Sequence, residues 1–108
     1  MANTLTDKRA DRAFGHVASG QVSGSATAQQ LPNVPYVRGV IKAEITNAGN
    51  VYIGSSSAVT VISDATTNTT TGFQLDAGQE LPILGTNLNQ LWNISDNVGD
   101  DITYVVWW

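Results

Sequence analysis

The feature that most constrains the fold is a series of short segments that begins at residue 36. Within the segments, apolar residues tend to occupy every second position. The first segment, 36–46, alternates an apolar set with a polar set, namely Ile41, Ala43 and Ile45 against Lys42, Glu44 and Thr46. Six further segments cover 51–54, 58–63, 73–75, 80–84, 92–95 and 101–108, and most are separated by turn-forming stretches such as NAGN, DAGQ and DNVGD. The spacing of Leu88, Leu91 and Trp92 allows one helical turn before the sixth segment. Short alternating segments divided by turns are typical of an all-β sandwich or barrel.

The first 33 residues lack this pattern. VASGQVSGSATAQQ, residues 17–30, is small and polar without apolar alternation or helical spacing, so it has little material for a core. TDKRADRAF before it has the pattern of one short helix, which is too short to be stable alone in water. We therefore predict a flexible N-terminal arm over residues 1–33 and a folded domain over residues 34–108. A disordered amino terminus without a role is the alternative.

Charge also divides the chain, with the boundary after residue 42. All five basic residues lie in the first 42 positions beside two acids, a net charge of +3, whereas seven acids and no base follow, a net charge of −7. A domain this acidic is a poor ligand for phosphate backbones, so we predict no nucleic-acid partner. The basic arm is better suited to an acidic protein surface.

The last strand, DITYVVWW, predicts an interface. Its alternation places Ile102, Tyr104, Val106 and Trp108 on one face and Thr103, Val105 and Trp107 on the other. Both faces are apolar, and small domains without disulfides often gain stability by association. We predict a subunit or partner interface at Tyr104, Val105, Trp107 and Trp108. In the alternative, both tryptophans pack within their own chain.

Few residues could carry chemistry. The chain has no cysteine and a single histidine, His16, so no nucleophile and base pair can be built on the domain, and we predict no enzyme, cofactor or metal site. DNVGDD lacks the ligand spacing of an EF-hand, and whether Asp96, Asp100 and Asp101 bind an ion stays open. Asp100 and Asp101 have the pattern of solvated turn acids. No apolar run is long enough to span a membrane, and no secretory signal is present, so we expect folding in the cytoplasm.

Three stretches carry a resemblance: VYIGSSSAVT, TTGFQLDAGQELPI and NLNQLWNISDNVGDDITYVVW. Their order and spacing resemble those of small structural proteins of tailed bacteriophages, in which such glycines and aliphatic residues punctuate a β-sandwich or jelly-roll domain. The resemblance covers about residues 50–106. The matching positions are Val51, Ile53, Gly54, Gly72, Leu75, Gly78, Ile83, Leu88, Leu91, Trp92 and Ile94. With the strand pattern, it predicts a small antiparallel β-sandwich or jelly-roll-like domain of about seven short strands with an extended N-terminal arm.

An arm on such a domain is most similar to a capsid decoration, or cement, protein. The resemblance implies a homo-oligomer, with a trimer favoured, that is made in the host cytoplasm and lies on the capsid surface of the virion. Its partner would be the major capsid protein, contacted by Lys8, Arg9, Arg12 and Phe14 of the arm. The alternative is a head-fibre, tail or baseplate adhesion module that binds a cell-surface glycan through its aromatic residues.

Overall fold

The structure is a computed structural model, and it describes residues 15–61 and 72–108. In these residues the chain forms eight β-strands and one short 3₁₀ turn, Leu88–Gln90. The strands are β1 (Val17–Val22), β2 (Gln29–Gln30), β3 (Arg38–Ala43), β4 (Val51–Gly54), β5 (Phe73–Leu75), β6 (Glu80–Leu84), β7 (Trp92–Ser95) and β8 (Ile102–Trp107). No helix in the described part of the chain has the length and hydropathy needed to cross a bilayer.

The strands form two four-stranded antiparallel sheets. The first sheet has the order β1-β8-β3-β6 and the second the order β2-β7-β4-β5. Four of the pairings are those of one long hairpin that is rolled up into two layers. They join β1 with β8, β2 with β7, β3 with β6 and β4 with β5. This is the connectivity of a jelly roll. The predicted all-β class is confirmed, with eight strands instead of seven.

The main core lies between the two sheets. It is built from the inward-facing positions of both sheets and from two connecting segments, and its buried members are Leu31, Tyr36, Ile41, Ala43, Val51, Ile53, Leu75, Leu88, Ile102 and Val106. Each large aliphatic side chain contributes about 1.5–3 kcal/mol when it is fully removed from water. The helical turn predicted from Leu88 is the 3₁₀ turn, and it places this side chain in the core.

A second apolar cluster covers the outer side of the second sheet. Tyr52 of β4 and Ile94 of β7 are buried there under Val59 and Val61. The strand predicted over 58–63 is not formed in residues 58–61, where Val59 and Val61 instead pack against the second sheet. Residues 62–71, which include most of the predicted exposed loop 64–72, lie outside the described residues.

The predicted arm is wrong for residues 15–33. β1 is paired with β8 along its whole length, from Val17 opposite Trp107 to Val22 opposite Ile102, and β2 is paired with β7. The sequence of β1 lacks an apolar alternation because an edge strand needs main-chain partners more than a continuous apolar face. Residues 1–14, with the predicted short helix, lie outside the described residues.

The first predicted strand is shorter than expected. β3 ends at Ala43 instead of Thr46, and Ile45 is 77% exposed although the alternation assigned it to the core face. Ile41 and Ala43 are fully buried, as predicted. The chain leaves the sheet at Glu44, whose N–H donates to the carbonyl oxygen of Asp101, so the alternation no longer determines which side chains are buried.

Candidate functional site

The outer side of the first sheet, which we call the outer face, carries several exposed apolar side chains. The strand register arranges its side chains in three rows across the four strands. The rows are Val17, Trp107, Arg38 and Leu84; Ser19, Val105, Val40 and Pro82; and Gln21, Thr103, Lys42 and Glu80. The first two rows are mainly apolar and the third is polar, so the face has an apolar end and a charged end.

Several of these apolar side chains are open to solvent. Val17 is 67% exposed, Leu84 74% and Val105 38%, while Trp107 is half-buried. A shallow depression of about 360 Å³ lies at the apolar end, between Trp107, Arg38 and Leu84. A second depression, of about 280 Å³, lies between Val105 and the charged pair Lys42 and Glu80. Contiguous apolar surface of this kind, bordered by charge, is typical of protein interaction sites.

The two sheets differ in how their outer sides are covered. Val59 and Val61 bury the apolar residues on the outer side of the second sheet. No described segment does the same for the outer face of the first sheet, since Val17 and Leu84 keep most of their surface in solvent. Within residues 15–61 and 72–108, the outer face is therefore an apolar sheet surface without a covering segment.

The alternation of β8 places the four predicted interface residues on opposite sides of the sheet. Val105 and Trp107 lie on the outer face, whereas Tyr104 and Trp108 turn inward and contact the main core. The Tyr104 ring crosses Gly20 of β1, where a Cβ atom would lie 2.7 Å from the Tyr104 hydroxyl oxygen. The four residues do not form one patch.

Trp108 contacts the only histidine. Its ring stacks on the His16 ring with centroids 5.4 Å apart and an interplanar angle of 20°. The main chains of the two residues exchange two hydrogen bonds of 3.0 Å. His16, expected as an ordinary residue of the arm, is thus fixed at the end of the first sheet.

The turn after β7 holds the described part's most buried carboxylate. Asp100 is 1% exposed, and its Oδ1 accepts hydrogen bonds from the N–H groups of Ala48 and Gly49 at 2.9 and 3.1 Å. Its Oδ2 accepts from the main-chain and side-chain nitrogens of Asn97 at 3.1 and 3.0 Å. The expectation of a solvated turn acid is wrong for Asp100, because this carboxylate joins two turns.

The other two turn acids also accept from nitrogen donors. Asp96 accepts from the Asn50 N–H at 2.9 Å, and Asp101 accepts from the Gly24 N–H at 2.8 Å and from the Gln21 side chain at 3.0 Å. Within residues 15–61 and 72–108, no group of three or more His, Cys, Asp or Glu side chains is arranged to hold a metal ion. These carboxylates therefore hold neighbouring segments together by accepting hydrogen bonds from them.

Sequence reasoning identified only part of the outer face. It identified Val105 and Trp107 from the alternation of β8, but it did not include Val17, Arg38 or Leu84, because these join the face only through strand pairing. The predicted arm contacts, Lys8, Arg9, Arg12 and Phe14, lie outside the described residues. Comparisons with protein-family models, with curated proteins and with solved structures find no match to this chain.

Proposed function

We propose that this protein is a structural protein of a tailed-bacteriophage virion, which binds the outer surface of the capsid as an oligomer and stabilises the shell. It is made in the host cytoplasm, and its partner is the major capsid protein. The observation that carries the proposal is the outer face, where the exposed side chains of Val17, Val105 and Leu84 lie beside the half-buried Trp107 in one apolar surface. The fold is consistent with this role, since jelly rolls are common in viral shells, although a fold alone does not define a function.

The N-terminal segment joins the domain close to Trp107. This position supports a contact in which the segment and the outer face bind the same partner. His16 is paired with Trp108, so the chain enters the domain at the end of the first sheet where Trp107 lies. Lys8, Arg9 and Arg12 precede His16 by eight to four residues in the sequence, and Arg38 lies beside Trp107 in the first row of the outer face. An apolar centre flanked by positive charge suits an acidic partner surface, because the charges guide association while the aromatic side chain supplies most of the binding energy.

The first experiment measures binding to particles. Capsids assembled without this protein from the major capsid protein of the same phage are mixed with it, and the bound fraction is measured by cosedimentation. Trp107→Ala is expected to weaken binding at least 10-fold, since central aromatic residues often contribute 2 kcal/mol or more to an interface. Val98→Ala is the matched control, because Val98 is an apolar residue, 69% exposed, in the turn between β7 and β8.

A second variant tests the N-terminal segment. Deletion of residues 2–14 leaves β1 and β2 in place, whereas a deletion to residue 30 would remove both strands. We expect the deletion to abolish particle binding without a change in the far-UV circular dichroism of the domain. Full particle binding by both this deletion and Trp107→Ala would refute the proposal, as would no binding by the unaltered protein.

The alternative function is an adhesion module that binds a cell-surface glycan. The depression between Trp107 and Arg38 favours it, because an aromatic ring beside hydrogen-bond donors is a common arrangement for sugar recognition. A glycan screen separates the two functions. Glycan binding that Trp107→Ala abolishes, together with no affinity for capsids, would replace the first proposal with the second.

A further inference from the structure

The edge of the first sheet at β1 has unused main-chain hydrogen-bonding groups. His16 and Trp108 exchange two hydrogen bonds, and this pair sets the phase of the β1 and β8 ladder. Every second residue then points its N–H and C=O toward β8, namely Ala18, Gly20 and Val22. The residues between them, Val17, Ser19 and Gln21, point theirs away from the sheet. No described residue makes a main-chain hydrogen bond with these outward groups.

The opposite edge of the same sheet is blocked. The register of β6 against β3 directs Leu81 and Ile83 toward β3 and leaves Glu80, Pro82 and Leu84 on the outward side. Pro82, at the centre of this outward side, has no N–H to donate. Proline and charge on an edge strand are common protections against pairing with another chain.

The second sheet offers no comparable edge. Its outer strands are β2 with two residues and β5 with three, which are too short for an extended ladder. β1 has six residues, VASGQV, without proline and without charge. It is therefore the longest unblocked edge in the described part of the chain.

We infer that this edge pairs with the β1 strand of a second copy, in an antiparallel arrangement about a two-fold axis through Ser19. The outward positions are symmetric about this residue, so Val17 of each copy meets Gln21 of the other and Ser19 meets its own counterpart. Each of the three opposed pairs exchanges two hydrogen bonds, about six in all. The strand suits a copy of itself, because two uncharged strands bring no like charges together and Ala18, Ser19 and Gly20 are small.

The pairing changes the surface that the protein presents. A two-fold axis perpendicular to the sheet keeps both outer faces on the same side of a continuous eight-stranded sheet. Two Trp107 side chains then lie on one broad surface, which suits a partner that displays repeated sites. This inference goes beyond the proposed function and is tested without any capsid. It predicts a dimer, not the trimer that the resemblance implies.

The test begins with the mass of the full-length protein in solution. Multi-angle light scattering across a dilution series is expected to give twice the 11.4 kDa of one chain. Ser19→Pro removes the central outward N–H and is expected to give the mass of one chain, while Ser19→Ala, which keeps that N–H, stays dimeric. Proline is tolerated at an outward position of an edge strand, so the variant should keep its circular dichroism spectrum.

Cross-linking provides a readout that does not depend on proline. The chain has no cysteine, so Ser19→Cys introduces the only thiol. In the proposed register the two Cα atoms at this position are about 5.5 Å apart, within disulfide range, and a mild oxidant should produce a covalent dimer. Gln21→Cys is the matched control, because its two copies are separated by about 13 Å along the strands.

Several outcomes would overturn the inference. A single-chain mass at every concentration, a trimer, or a dimer that persists in Ser19→Pro would each exclude pairing at this edge. Equal cross-linking of Gln21→Cys and Ser19→Cys would exclude the register. Failure here leaves capsid binding through Trp107 intact, and failure of capsid binding leaves the dimer intact, so the two proposals can be separated.

Discussion

The buried carboxylate of Asp100 gives the sharpest prediction about stability. In Asp100→Asn one oxygen remains, and it can serve the Ala48 and Gly49 donors or the Asn97 donors, but not both. The amide nitrogen then faces two N–H groups that previously donated to the carboxylate. A buried donor left without a partner costs about 1–3 kcal/mol. Because Asn97 is exposed and its donors can turn to water, we expect a loss of about 1–3 kcal/mol in total.

The assay is urea unfolding followed by tryptophan fluorescence, together with thermal unfolding. For a domain of this size the loss corresponds to a fall in Tm of about 5 to 20 °C. Asp96→Asn is the control, because Asp96 is exposed in the same turn, accepts one N–H, and can keep that bond through the amide oxygen. Its expected change is about 0.5 kcal/mol or less. If both variants had the same stability, the buried carboxylate would not be what joins the two turns.

Three further predictions concern single residues. Gly24→Ala is expected to lower the free energy of unfolding by about 2 kcal/mol or more, because a Cβ atom there would overlap the main chain of Asp100; an unchanged urea midpoint would contradict this close approach. Asn93 is fully buried, and neither polar atom of its side chain has a hydrogen-bond partner in the described residues. Asn93→Leu should therefore raise the free energy of unfolding by about 1–2 kcal/mol. A lower free energy of unfolding in the same urea assay would mean that the amide is hydrogen-bonded. Burial raises the pKa of the Tyr36 hydroxyl above its ordinary value of 10.0, so the unfolded chain ionises first. Stability that is fully present below pH 10 therefore falls as the pH rises from 10 through the folded-state pKa. Tyr36→Phe should reduce this fall above pH 10, and an equal fall in both proteins would refute the assignment.

The sequence pattern predicted the strands that have a buried face. β8 illustrates why: Ile102 and Val106 are fully buried, and Val105 between them is exposed, as the alternation requires. β1 has no comparable pattern, because its inward residues are small and its formation depends on hydrogen bonds to β8. Alternation records which side chains are buried, and it says little about a strand whose partner is 80 or more positions away in the sequence.

The candidate site was predicted in the same partial way. The alternation of β8 alone places Trp107 and Val105 on one face, whereas Arg38 and Leu84 come from two other strands. Their neighbourhood is set by register, which a single sequence without pairing information does not define. Asp100 was assigned to solvent because turn acids are usually exposed, and its burial depends on how close the turn at Ala48 comes.

The rolled-hairpin connectivity has a consequence for the order in which this molecule forms. β8 lies between β1 and β3, so the first sheet has no continuous ladder until residues 102–107 are available. On the ribosome, β1 is synthesised early and stays unpaired until β8, which lies 80 to 90 residues later in the sequence, has been synthesised. Folds dominated by such distant contacts form slowly, in milliseconds to seconds, because loop closure must precede the stabilising pairings. The newly made chain therefore presents unpaired strands to its surroundings until synthesis has passed β8.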